Sequence, residues 1–291
     1  MTKARWALFV CGVSLASLLT SGCIIIANGN YGWGCSPSVW KEETEEVPID
    51  PNGLSAVEVR THNGAIDFTG QPAGAGSASV TVHKKAGGMT LAGAEAAMDA
   101  LDVYVERSAD GTQRIGWRWK GLKRSTWQAD VSFAISAPGN LRLDAETHNG
   151  RVSASGVVGD VRILTHNGRV KIESRDGELR AETHNGEIDA EYGGPKVTLV
   201  SHNGEINADL SRCGQVHGGI STHNGAVELS VGADTSADLI AETDNGHITF
   251  DAPLTVGSAT KTRLKGKLGV GGERLGVMTH NGSIRIKNAA G

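Results

Sequence analysis

The sequence predicts an all-β chain folded as a single-stranded parallel β-solenoid (a β-helix), with coils of about 18–21 residues and one short N-terminal helix. Three observations predict it. A four-residue motif recurs at a short period, and the residues around each copy alternate apolar and polar. Glycine is plentiful, 40 of 291 residues, while aromatics make up only 4%, so the core must be built from Val, Ile, Leu, Ala and Thr. Small and β-branched residues punctuated by Gly favour short strands and tight turns.

The motif is Thr-His-Asn-Gly. It stands at 61–64, 147–150, 165–168, 183–186, 222–225 and 279–282, with Ser201 replacing Thr in 201–204 and Asp244 replacing His in 243–246. From Asn149 the Asn positions step by 18 to Asn167, Asn185 and Asn203, by 21 to Asn224 and Asn245, then by 36 to Asn281. Self-similarity at such a period is the mark of a solenoid. Leu179, Ala181 and Thr183 share one face of a strand before the Asn-Gly turn, and Ile188 and Ala190 share a face after it. Val161, Ile163, Thr165, Val170 and Ile172 repeat the pattern one period earlier, and Val197, Leu199, Ser201, Ile206 and Ala208 one period later.

A hairpin meander with Asn-Gly turns also fits two strands per period. It would accept any turn-forming pair, whereas near-identical corners make sense if equivalent residues lie above one another at ~4.8 Å. Asn side chains could then bond along the axis. The alternation expects Thr inward, His outward and Asn inward, with the motif Gly supplying a positive φ.

The first 22 residues read as an export signal: Lys3 and Arg5, an apolar stretch from Trp6 to Leu19, then Thr20-Ser21-Gly22 ahead of Cys23. That layout resembles a bacterial lipobox, with Thr20 where Leu is more usual, so Cys23 is the expected lipidation site and the membrane the expected partner through its acyl chains. An ordinary signal peptide is the alternative. Ile24, rather than Asp, favours the outer membrane of a Gram-negative cell. Residues 23–50 read as a flexible stalk. Residues 51–140 form an N-terminal β region holding the first motif copy, strands at 77–84, 103–106, 114–120 and 127–136, and a capping helix over 91–101 with Leu91, Ala94, Met98 and Leu101 on one side. The repeats fill 141–288. Thr255 to Gly272 is expected to leave the stack as a hairpin, and the copy from Leu275 to Ile286 to close one end.

A leader, a first strand copy, a short helix followed by Leu-Asp-Val-Tyr-Val-Glu, Ile135-Ser-Ala-Pro-Gly-Asn-Leu-Arg-Leu143 and then serial Thr-x-Asn-Gly-x-Ile/Val copies appear in that order. Over about residues 50–288 the chain resembles the bacterial adhesin-like β-solenoid family of unknown function (DUF4097-type), related to head GIN domains. The resemblance implies an envelope protein named for adhesion and brings no established catalytic or binding residues. His at nearly every second motif position departs from the family, where that position varies.

Seven of the ten His lie in the motifs. In a stack, His148, His166, His184, His202 and His223 form an outward row, followed by Asp244, with His62 and His280 further along or off it. Such a row can be a by-product of copied sequence, or it can bind a divalent transition metal or a sugar. No cofactor is otherwise implied. Cys11 leaves with the leader, so Cys35 and Cys213 remain, either bridged or as two thiols. The net charge of −4, or −6 without Lys3 and Arg5, argues against nucleic acid. Trp117, Trp119 and Trp127 with Arg118, Lys120, Lys123 and Arg124 form one aromatic-basic cluster, read either as a strand pair with a buried face or as a partner contact. No nucleophile-base pattern, Cys-x-x-Cys or phosphate-binding loop stands out. The expected protein is a non-enzymatic envelope lipoprotein contacting a cell-surface protein or polysaccharide. The alternative is a metal- or glycan-binding envelope protein using the His row.

Overall fold

A computed structural model describes residues 22–27 along the backbone, and residues 37–72, 74 and 76–289. The described residues are all-β apart from one helix, and their strands form two twelve-stranded sheets. Each motif copy contributes one strand to each sheet. Val161–Thr165 leads into a corner at His166-Asn167-Gly168, and Val170–Ser174 leaves it in the other sheet.

Among the serial copies from Arg142 to Val231, neighbours within a sheet are one period apart and parallel. Val161 lies beside Leu179, Ile163 beside Ala181 and Thr165 beside Thr183; in the other sheet Val170 pairs with Ile188 and Ile172 with Ala190. Parallel register excludes the hairpin meander for these copies, because hairpin neighbours run antiparallel. The inward positions of both sheets join one core of small and medium side chains, with Leu179, Ile188 and Leu199 among the fully buried ones. Alternation with period two is what puts this apolar set on a single face.

The first copy joins the stack although 86 residues separate Asn63 from Asn149. Ala56–Arg60 pairs in parallel with Arg142–Thr147, and Ile66–Gln71 with Val152–Val157. The intervening chain builds the lower end. Ala78–Gly88 and Gln128–Pro138 extend one sheet, while Leu101–Arg107 and Thr112–Trp119 extend the other. The helix spans Leu91–Asp99 and packs on Ala78–Gly88 and Val39–Ile49. Thr90 caps it, its Oγ1 accepting from the Gly93 N–H at 3.1 Å. Its buried side chains are Ala94, Ala97 and Met98; Leu91 is exposed, and Leu101 already starts the next strand. The expected apolar face is therefore rotated toward Ala97, because the helix of about two and a half turns docks mainly through its small residues.

Three expectations are corrected. Val39–Ile49, read as stalk, is an eleven-residue strand antiparallel to Ala78–Gly88 along its whole length. Its glutamates are met on both faces: Glu43 and Glu45, on the same side as Ile49, pair with Lys84, and Glu42, on the other side, pairs with Lys85. Next, the copy Leu275 to Ile286 does not close an end. Arg274–Asn281 inserts between His217–Asn224 and Ala237–Asn245, parallel to both. The end belongs to the predicted excursion: Leu254–Ala259 and Arg263–Leu268 form an antiparallel hairpin, and Arg263–Leu268 pairs with Ala237–Asn245. The hairpin shields the edge of Ala237–Asn245, so the last strand fills the slot on its other side. Third, the motif glycines do not carry the positive φ expected of them. Gly is needed there for close approach instead: a Cβ on Gly186 would come under 3.0 Å from the Gly168 carbonyl oxygen, and Gly168 and Gly204 are crowded in the same way.

Candidate functional site: the corner ladder and the histidine row

The motif copies stack into three parallel ladders along one edge of the molecule. Innermost are the hydroxyls. Thr165 Oγ1 donates to Gly150 O at 3.2 Å, Thr183 to Gly168 O at 3.1 Å, Ser201 to Gly186 O at 2.9 Å and Thr222 to Gly204 O at 2.8 Å. These Thr and Ser residues are buried as expected, and each satisfies its hydroxyl on the coil beneath.

Next come the Asn side chains. Asn149 Nδ2 donates to Asn63 Oδ1 at 2.7 Å, and the pattern continues through Asn167, Asn185, Asn203, Asn224, Asn281 and Asn245 at 2.7–2.9 Å. The axial bonding was expected, but most of these side chains are exposed rather than inward. The backbone ladder continues beside these side chains: the Asn185 N–H donates to His166 O of the neighbouring copy at 2.8 Å. Each interior Asn side chain makes two ladder bonds, and the terminal Asn245 makes one. Asn185→Ala is therefore expected to cost about 1–2 kcal/mol, and Asn245→Ala about half as much, read as shifts in denaturant midpoint at constant slope.

Outermost are the imidazoles. His62, His148, His166, His184, His202, His223 and His280 form one uninterrupted stack with ring centroids 4.7–4.9 Å apart. The structure thus brings together all five predicted members, and it places His62 at the start and His280 inside the row. Insertion of the last copy puts His280 between His223 and Asp244, and His280 Nδ1 donates to Asp244 Oδ2 at 2.6 Å. From His166 to His280 the ring planes are within 5–8° of parallel.

That parallelism decides what the row can do. A metal ion lies in the plane of each imidazole that binds it, and stacked parallel planes do not meet, so neighbouring rings cannot share an ion in this arrangement. Among the described residues no group of three or more His, Cys, Asp or Glu is arranged to hold a metal. The ring faces are covered by their neighbours, which leaves only the end faces for stacking on a sugar. Along its length the row offers water a line of ring edges bearing hydrogen-bonding nitrogens. His184 is held below the usual histidine range, first because flanking rings strip water from it, then through charge on His202 and His166.

Carboxylates lie elsewhere. A shallow depression of about 590 Å³ on the outer face carries Glu173, Asp189, Glu191 and Asp209. Arg212 reaches Glu173 and Glu191 at 4.0 and 3.8 Å, and Asn207 donates to Asp189 at 3.0 Å. Polysaccharide hydrolysis needs two carboxyl groups in contrasting environments; these share one solvated sheet face. Cys213 is buried, with its thiol pushed up to about 12 by burial, and it donates to Tyr192 O at 3.3 Å. Cys35, which the sequence leaves either bridged to Cys213 or as a separate thiol, lies outside the described residues. Cys23 is described along the backbone only, in the strand Gly22–Ala27.

With the stacked corners in view, residues 26–287 match the Toastrack family, DUF4097. The chain belongs to that family. No curated protein matches it. Three solved structures are similar over most of their length. A candidate cell adhesion protein from Clostridium sporogenes is 11% identical, covering 85% of this chain and all of that one at a TM-score of 0.34. A candidate adhesin from Parabacteroides merdae is 14% identical, covering 86% and 96% at 0.40. Another, from Bacteroides fragilis, is 11% identical, covering 88% and 100% at 0.37. The Toastrack match thus covers both the stacked copies and the lower end with its helix.

Proposed function

We propose that this Toastrack chain is a non-enzymatic cell-envelope lipoprotein, anchored through acylated Cys23, that presents a single-stranded β-solenoid as a scaffold for adhesion or interaction. The observation that carries the reading is the unbroken ladder of eight Asn corners, which makes a rigid edge with a regular chemical repeat. A row of imidazole edges suits a long, repetitive polar partner, a cell-surface protein or polysaccharide, better than a small molecule. Envelope placement follows from the leader and the Gly22-Cys23 junction, and Ile24 favours the outer membrane of a Gram-negative cell.

Labelled palmitate tests the anchor. The wild-type chain is expected to take up label and fractionate with membranes, and Cys23→Ser to lose the label. Absence of label on the wild type would remove the lipoprotein reading. The scaffold is tested by comparing attachment of cells that express the wild type with cells expressing the chain in which His148, His166, His184, His202 and His223 are all Asn. Equal attachment at equal expression would remove the row from the function.

A further inference from the structure

The lower end of the stack carries an apolar, basic projection that nothing above uses. The corner equivalent to Asn-Gly is replaced there by a longer loop, 120–126, between Thr112–Trp119 and Gln128–Pro138. Its ends are held by Trp119 and Trp127, whose rings lie 5.7 Å apart and 30° from parallel. The backbone is tied down as well: Lys120 N–H donates to Ala100 O at 2.7 Å, and Trp127 N–H to Arg124 O at 3.0 Å. On this fixed loop Leu122 is 98% exposed. Met89 and Leu91, where the helix begins, are also exposed. Leu122 is the most exposed large apolar side chain among the described residues, and it stands among cations.

Lys120, Lys123 and Arg124 have no carboxylate partner among the described residues. Lys120 Nζ donates to the Asp99 carbonyl, and the Arg124 guanidinium sits 5.1 Å from the Trp127 ring centre. Glu95 and Asp99 lie on the exposed side of the neighbouring helix and offset part of this charge. The chain path says where. Gln128 pairs with Gly87, Gly88 pairs with Val39, and Ser38 Oγ donates to Met89 O at 2.9 Å. The polypeptide thus enters from its N-terminal segment beside this projection. Cys23 pairs with Glu43 on the outermost strand of the sheet, four residues along from Val39, about 13 Å at the strand rise.

We infer that Leu122, flanked by Lys120, Lys123 and Arg124, is a foot that rests on an anionic phospholipid surface beside the acyl anchor. Its orientation relative to the anchor rests on the proposed lipidation; the contact itself does not. Trp119 and Trp127 pack against the core and fix the loop from beneath, while the apolar tip enters the acyl boundary and the cations meet lipid phosphates.

Every described core residue lies between Ile49 and Ile286, so a chain starting at residue 24 keeps the whole core and carries no lipid. Its co-sedimentation with vesicles of phosphatidylcholine alone, and of phosphatidylcholine with phosphatidylglycerol, tests the foot. We expect binding only to the anionic vesicles, weakening with salt. Joint substitution of Lys120, Lys123 and Arg124 by Gln should reduce it about a hundredfold, from roughly a fivefold contribution per cation. Leu122→Ser, which keeps the charge, should reduce it by about tenfold. Equal binding to both vesicles, no binding to either, or an unaffected triple variant would overturn the inference. Because no acyl chain is present, none of these outcomes depends on palmitate labelling of Cys23.

Discussion

Gly186→Ala is expected to lower stability by about 2–4 kcal/mol, far more than a glycine-to-alanine change normally costs. The added methyl would sit under 3.0 Å from the Gly168 carbonyl oxygen and close to Thr183 Oγ1. Neither can retreat. Thr183 Oγ1 is bonded to that same carbonyl at 3.1 Å, and the Asn185 and Asn167 side chains are linked at 2.7 Å beside it. Relief would require the coils to part, which breaks the hydroxyl, backbone and Asn ladders together. Gly214→Ala is the control: this residue is exposed, nothing lies within 4 Å of a Cβ there, and the change should stay within about 0.5 kcal/mol. Chemical denaturation of the two variants measures the difference. Similar midpoints for both would mean that the corners are looser than the ladders require.

The second large effect is expected from acid. His184 has a folded-state pKa below its ordinary value of 6.5, so between the two values the unfolded chain binds more protons than the folded one. Stability therefore rises with pH across that window. The contribution is complete above about 6.5, is lost as pH falls from there toward the folded value, and changes no further below it. Stacked neighbours protonated together would also repel at 4.7 Å. Melting temperature should fall as pH drops below about 6.5, and the fall should be shallower for His184→Asn. Identical pH profiles for wild type and His184→Asn would show that this imidazole does not set the acid response.

Much of this architecture was legible because one physical rule repeats. Identical corners predict vertical stacking, and stacking predicts the Asn ladder and the imidazole row before any coordinate is known. What failed to show was whatever depends on two distant segments meeting. The reason for Gly186 is a close approach to Gly168 in the next coil, not a local φ, and turn chemistry cannot see it. The place of His280 depends on a hairpin at Leu254–Leu268 occupying the edge first. Val39–Ile49 looked like a stalk because its charges, on both faces, are satisfied by Lys84 and Lys85, some forty residues later. The row itself was found from spacing alone, yet its inability to share a metal between neighbours rests on ring planes, which spacing does not encode.

Distances between nitroxide labels at His148 and His280, and at His148 and Asp244, test the stacking most directly. Five ring-to-ring steps separate His148 from His280, so that pair should lie about 24 Å apart, with the Asp244 pair one step longer at about 29 Å. The reverse order, or separations that do not grow by one strand spacing per copy, would contradict a parallel stack with the last copy inserted.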